Sequence, residues 1–231
     1  MSCFTCCCHC FTASSAEERQ PFARPNTTLQ QQNLDHGDVK KDGEISMRLV
    51  NVPTIDKQLS DIADAFNGQR EHHLTMEESI RQLKAAYGCA STCSLVGCIE
   101  AIKEEHGDWD VKVCMEGYNF SLWIKEEKED EVPDKLEQAR EQVKKMSRAT
   151  KLIIATETKL QEMMYSVLQN KSQMSERVKQ ANPEYLDQVR LEGNLEDNFQ
   201  KLNQVKKLSR LYEEEAKCVL KEVAELAGVS L

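Results

Sequence analysis

The stretch that decides the fold of this chain runs from Pro133 to Gly228 and reads PDKLEQAREQVKKMSRATKLIIATETKLQEMMYSVLQNKSQMSERVKQANPEYLDQVRLEGNLEDNFQKLNQVKKLSRLYEEEAKCVLKEVAELAG. Its first half holds an apolar residue at every seventh position, which is the spacing of a seam along one side of a helix. No glycine or proline interrupts the chain between Pro133 and Pro183, so we expect one helix about 70 Å long. The residues of this seam are Ala139, Met146, Ile153, Leu160, Val167, Met174 and Ala181.

The second half of the stretch repeats the amphipathic pattern after a break at Ala181-Asn182-Pro183. Proline disfavours helical backbone in the residue before it, so the chain is expected to turn at Asn182. Because the two helices have similar lengths, we predict an antiparallel, coiled-coil-like hairpin over residues 133–228. The alternative is one kinked rod of about 95 residues that dimerises in parallel. The seam of the second helix includes Leu191, Leu195, Leu202, Val205, Tyr212, Ala216, Val219, Val223 and Leu226.

Four further apolar residues widen the stripe of the second helix beyond this seam. A stripe of that width usually packs against more than one neighbour, so we expect a third helix, a partner chain, or both. We therefore predict that these residues bind a partner protein or mediate self-association. They are Phe199, Leu208, Leu211 and Leu220.

A smaller region of mixed helices and strands is predicted for residues 44–126. Asn67-Gly68 is typical of a helix end, and Thr75 with Glu78 matches a capping box, in which each side chain bonds a free backbone N–H of the other. Both signals favour short helices rather than one long helix. The helices are expected at about 54–67, 75–87 and 94–105.

Alternating apolar residues indicate strands in the same region. The alternation is weak at Ile45–Val50 and strong at Val111–Met115 and Tyr118–Ile124, which are separated by a short Glu-Gly turn. The two strong segments predict a β-hairpin, and an isolated hairpin is marginally stable unless it packs on helices. The predicted fold class is mainly α, with this small α+β region preceding the long helical hairpin.

The N-terminus is rich in cysteine and is followed by a polar stretch. Residues 12–43 lack the apolar groups needed to offset the entropy of ordering, so we predict that residues 1–43 form a disordered tether. Clustered thiols are typical of S-acylation, and two or more acyl chains give stable membrane attachment. The alternatives are a metal site and a set of reduced, inert thiols. The cysteines concerned are Cys3, Cys6, Cys7, Cys8 and Cys10.

Composition restricts the function classes further. The chain has 231 residues and a formal charge of −9, which argues against a nucleic-acid-binding protein with a basic surface. No apolar run approaches the ~18 residues of a transmembrane helix, and the N-terminus lacks the pattern of a signal peptide. We therefore expect a cytoplasmic protein, which acylated thiols would hold on the cytoplasmic face of a membrane.

The remaining candidate residues for chemistry favour structural roles. Cys89, Cys93 and Cys98 have a spacing compatible with a metal or redox site, but free cysteine more often packs as a small apolar residue. The adjacent His72-His73 pair lacks a second histidine at helical spacing, so no metal site is predicted there. No nucleophile elbow, phosphate-binding loop or dinucleotide fingerprint is present. We expect no enzyme activity, no cofactor and no small-molecule substrate.

One segment resembles a known family of small domains. The residues IEAIKEEHGD at 99–108 look like the second helix and following loop of ubiquitin-associated domains. The resemblance covers about ten residues and implies a three-helix bundle that binds ubiquitin, although the alternation from Val111 onward favours a strand.

These observations lead to two functional hypotheses from different classes. The first is a non-enzymatic coiled-coil adaptor, attached to a membrane through its N-terminal cysteines and binding a partner along the widened stripe. The second is a soluble structural subunit of a larger helical assembly, such as a cytoskeletal or centrosomal complex. Ubiquitin binding is a third, weaker alternative.

Overall fold

The computed structural model describes residues 43–125 and 132–230. Residues Glu44–Leu231 form one compact unit, within which five helices and two strands are described. The prediction of a mainly helical protein with a small antiparallel sheet is confirmed at this level. The predicted tether, apart from its last residue, lies outside the described residues, as do residues 126–131.

The first helix, α1, is longer than the sequence suggested. It spans Pro53–Ala86 without interruption, so the prediction of two short helices is wrong. Asn67-Gly68 does not end the helix, because its buried face continues on both sides and outweighs the ~1 kcal/mol cost of one glycine. Thr75 is no cap either, since its hydroxyl donates to the Glu71 carbonyl within the helix. The buried face includes Ile55, Leu59, Ile62, Phe66, Met76 and Leu83.

The long C-terminal stretch forms three helices. The first part is α3, Asp134–Gln169, followed after a break at Asn170 by α4, Lys171–Ala181. The last helix, α5, spans Tyr185–Ala227. It ends at Gly228, whose φ of 68° is left-handed, a conformation that glycine adopts without steric cost.

The order of contacts gives the direction of α5 relative to α4. Lys171 pairs with Glu196 at 2.8 Å, and Lys179 pairs with Glu192 at 3.1 Å. From the first pair to the second, the residue number rises on α4 and falls on α5. The two helices therefore run antiparallel.

Helix α1 packs beside both long helices and is the third helix that the wide stripe required. The Gln69 amide donates to the Ile153 carbonyl of α3 at 3.1 Å, and Arg177 of α4 donates to the Thr54 hydroxyl at 2.6 Å. These contacts place α1 antiparallel to α3 and α4, in a three-helix arrangement with α5.

The sheet and the second helix cover one end of this bundle. Helix α2 spans Leu95–Glu105, and the Ser94 hydroxyl caps it by accepting the Gly97 N–H at 3.1 Å. Strands β1, Val111–Glu116, and β2, Asn119–Ile124, pair antiparallel with Val111 opposite Ile124. The predicted β-hairpin is confirmed, and its apolar face packs in the same core as α3 and α5.

Residues 44–50 form an extended segment rather than the predicted strand. Side-chain amides from two helices take the place of a neighbouring strand. Asn67 of α1 exchanges two hydrogen bonds of 2.9 Å with the backbone of Ile45. Asn198 of α5 does the same with Arg48, at 2.8 and 2.7 Å. The apolar alternation seen in the sequence therefore reflects an extended conformation, and no second strand among the described residues pairs with it.

Two apolar core clusters lie along the bundle and are separated by polar residues. One cluster contains Phe66, Leu160 and Val205, and the other contains Met76, Ile153 and Ala216. Between them, on α1, α3 and α5, lie buried polar side chains that we call the polar layer: Gln69, His73, Glu157 and Ser209.

Within the described ranges, no helix combines the length and the apolar character required to cross a membrane.

Candidate functional site

The four residues predicted to bind a partner divide into two pairs. Phe199 is 3% exposed and Leu220 is 2% exposed, so both belong to the core of the chain itself. Phe199 packs in the cluster around Leu160, with the Lys171 ammonium 4.8 Å above its ring. The three-helix bundle buries both side chains, so neither offers an exposed surface to a partner.

Leu208 and Leu211 remain accessible on α5. Their exposed fractions are 38% and 44%, and three-residue spacing places them on one face of the helix. They are the part of the widened stripe that the bundle leaves uncovered.

A larger exposed apolar surface lies at the start of α5. Tyr185, Leu186 and Val189 are 75%, 80% and 52% exposed, and we call them the tip patch. The first buried residue of α5 is Leu191, so the turns of the helix before it lie beyond the core of the bundle. Sequence analysis missed this patch because it followed the seam alone. The signal was three apolar residues in the five that follow the turn.

The internal cysteines lie mostly between α1 and α2. Cys98 is buried on α2, whereas Cys89 and Cys93 are partly exposed in the preceding turn. Burial, with the neighbouring Cys89 thiol, raises the pKa of the Cys98 thiol to about 12. Thiolates are the reactive form of cysteine, so burial and the raised pKa both disfavour reaction at Cys98, which packs in the apolar core. The five cysteines predicted to carry lipid, Cys3 to Cys10, lie outside the described residues.

Among the residues that the structure describes, one cluster of a histidine and two glutamates was not predicted from the sequence. His73, Glu77 and Glu215 place one potential ligand atom each within 4.8 Å of one another, and we call them the His73 cluster. His73 Nε2 lies 2.5 Å from Glu215 Oε2, and its Nδ1 lies 3.6 Å from Glu77 Oε2. The four-residue spacing of His73 and Glu77 was visible in the sequence, but the approach of α5 was not.

The segment that resembles a ubiquitin-associated domain takes a different course after its helix. Helix α2 ends at Glu105, and β1 begins at Val111, where such a domain would have its third helix. The three-helix bundle implied by the resemblance is therefore not formed at this place.

Comparison with protein-family models, with curated proteins and with solved structures finds no match to this chain. The functional argument therefore starts from the exposed surfaces and side-chain clusters described above.

Proposed function

We propose that this protein is a non-enzymatic helical adaptor that binds a protein partner through exposed apolar residues of α5. The observation that carries the proposal is the tip patch, where Tyr185, Leu186 and Val189 each expose half of their surface or more. Single exposed apolar residues are ordinary, but adjacent ones commonly mark a protein-binding surface. Tyrosine is also enriched among the residues that contribute most to binding energy.

The geometry of the tip patch favours an apolar groove or a second amphipathic helix as its ligand. Tyr185 and Val189 are four residues apart and share one face of α5, with Leu186 beside them. Asp187 and Arg190 bond each other at 2.9 Å next to the patch and give it a polar rim. A rim of that kind fits an interface with an apolar centre.

The test compares partner binding by the wild-type chain and by the double variant Leu186→Glu/Val189→Glu. A photo-crosslinking residue at position 185 in cells should capture a defined partner, and the double variant should reduce its yield by about tenfold or more. The matched control is Leu152→Glu, which changes an apolar residue of α3 that is 43% exposed.

The helical content of each variant is checked by circular dichroism. Equal capture by the wild type and the double variant would rule out the tip patch as the binding surface.

We include Leu208 and Leu211 in the proposal as a second contact. The changes Phe199→Glu and Leu220→Glu are not suitable tests of partner binding. Both would place a charge in the core and destabilise the fold.

Membrane attachment is the second part of the proposal. We infer that the tether of residues 1–43 carries acyl chains on Cys3, Cys6, Cys7, Cys8 and Cys10 and holds the adaptor at a cytoplasmic membrane face. Two acyl chains suffice for stable attachment.

Fractionation of the wild type beside a variant with these five cysteines changed to serine tests this part. The wild type should sediment with membranes and the variant should not. If both stay in the supernatant, the membrane anchor is wrong. The alternative function, a structural subunit of a soluble helical assembly, is then favoured, and its partner would still be sought at the tip patch.

A further inference from the structure

We propose that the His73 cluster is a binding site for a divalent transition-metal ion of the Zn²⁺ class, which links α1 to α5. The ligands are one ring nitrogen of His73 and one carboxylate oxygen each from Glu77 and Glu215. His73 and Glu77 are neighbours on one face of α1, while Glu215 approaches from α5, 142 residues further along the chain than His73. The site requires the packed bundle.

The three ligand atoms lie within 4.8 Å of one another, and the side chains have to rearrange to hold one small metal ion. Zn²⁺ binds imidazole nitrogen and carboxylate oxygen at about 2.0–2.2 Å, so ligand atoms in a tetrahedral site lie roughly 3.4 Å apart. Glu77 lies 3.6 Å from Nδ1 of His73 and Glu215 lies 2.5 Å from Nε2, so the two carboxylates face different nitrogens of the ring. Only one ring nitrogen binds the ion, so binding at Nε2 requires the Glu215 contact to open by about 1 Å and the Glu77 side chain, which is 56% exposed, to turn toward that nitrogen.

Packing fixes the orientation of the His73 ring, which favours its use as a metal ligand. His73 is 7% exposed, and Tyr212 of α5 stacks on its ring with centroids 4.1 Å apart. Tyr212 also stacks on Phe66 at 6.0 Å, which ties it to the apolar core. A ring fixed on one face by stacking loses little rotational freedom when it binds an ion, and preorganised ligands bind metals more tightly.

The two carboxylates provide access from solvent. The Glu77 and Glu215 side chains are 56% and 45% exposed, so an ion reaches them without unfolding of the bundle. Imidazole and carboxylate ligands suit Zn²⁺ and its neighbours in the first transition row, whereas Mg²⁺ and Ca²⁺ prefer oxygen alone. Three protein ligands leave a fourth position for water.

The site lies where the apolar core is interrupted. One helical turn before His73 is Gln69, whose side-chain oxygen is buried without a hydrogen-bond partner, and the buried Ser209 hydroxyl of α5 also has none. Two buried polar atoms therefore lack hydrogen bonds at this level of the contact between α1 and α5. An ion that bridges the two helices here would compensate for that loss.

The experiment titrates Zn²⁺ and the spectroscopic probe Co²⁺ into the full chain carrying the five N-terminal cysteine-to-serine changes. The expected result is one equivalent of Co²⁺ bound without the ultraviolet band of cobalt–thiolate bonds, and displaced by Zn²⁺. Zn²⁺ should also raise the thermal midpoint. Glu215→Gln and His73→Gln should each weaken Zn²⁺ binding by about tenfold or more.

His72→Gln and Glu71→Gln are the matched controls, since they change a neighbouring histidine and a neighbouring glutamate outside the cluster. Glu215→Gln changes a partly exposed side chain, so it keeps the test valid if His73→Gln fails to fold. Absence of binding would show that the cluster consists only of side-chain contacts between His73 and the two glutamates, and would overturn the proposal. A thiolate band, or binding unchanged in Glu215→Gln, would place the ion elsewhere; either result overturns the proposal.

Discussion

The side chain of Asn198 is one of the two side-chain amides that attach the extended segment, residues 44–50, to the bundle through a pair of hydrogen bonds. It lies on α5 with no exposed surface, accepts the Arg48 N–H at 2.8 Å, and donates to the Arg48 carbonyl at 2.7 Å. The change Asn198→Ala removes both hydrogen bonds and leaves a small cavity.

The magnitude follows from these contacts. Two hydrogen bonds contribute about 1 kcal/mol each, and the cavity adds to their loss. Alanine regains about 0.6 kcal/mol of helix propensity. The free energy of unfolding should therefore fall by about 2 kcal/mol, of which the ion pair of Arg48 with Asp197 recovers little because both side chains are exposed.

Equilibrium urea unfolding measures this change. With a slope of about 2 kcal/mol per molar, the midpoint should fall by about 1 M. Hydrogen exchange should show that residues 44–50 lose protection in the variant while α3 keeps it. Asn194→Ala is the control, because Asn194 makes one exposed bond to the Leu49 carbonyl, and its midpoint should hardly move. Equal midpoints for Asn198→Ala and the wild type would refute the reasoning.

Three further changes test other features of the bundle. Ser209→Ala removes a buried hydroxyl that has no hydrogen-bond partner, so thermal denaturation should show a stabilisation of about 1 kcal/mol; a loss of stability would mean that the hydroxyl is satisfied by water. Gly193→Ala adds a methyl group that meets no atom within 4 Å in the interior of α5, and urea unfolding should again show a gain of about 1 kcal/mol, whereas no gain would indicate a contact with another chain. Burial raises the pKa of Tyr87 from 10.0 in the unfolded chain to about 12, so the folded state keeps the phenol proton between these values while the unfolded chain loses it. The stability contributed by Tyr87 is therefore complete below pH 10 and declines as the pH rises toward 12. Urea midpoints measured across that range should decline less steeply for Tyr87→Phe than for the wild type, and equal slopes would contradict the assignment.

Local patterns were enough to locate several elements. The alternation at residues 111–124 predicted the β-hairpin. Ser94 marked the start of α2, and Gly228 marked the end of α5. Each of these signals involves residues that are close along the chain, as in the hydrogen bond from the Gly97 N–H to the Ser94 hydroxyl. Propensity and capping act at that range, so the sequence by itself determined these features.

Long-range packing decided the rest. Asn67-Gly68 and Thr75 carry local signals for helix ends, yet α1 continues through them because its buried face packs along α3 and α5. The same packing buried Phe199 and left Leu208 exposed, although both lie off the seam of α5. It also brought Glu215 to His73 across 142 residues. Which side of an amphipathic helix is covered depends on neighbours that local periodicity does not specify, and only the tertiary structure provides them.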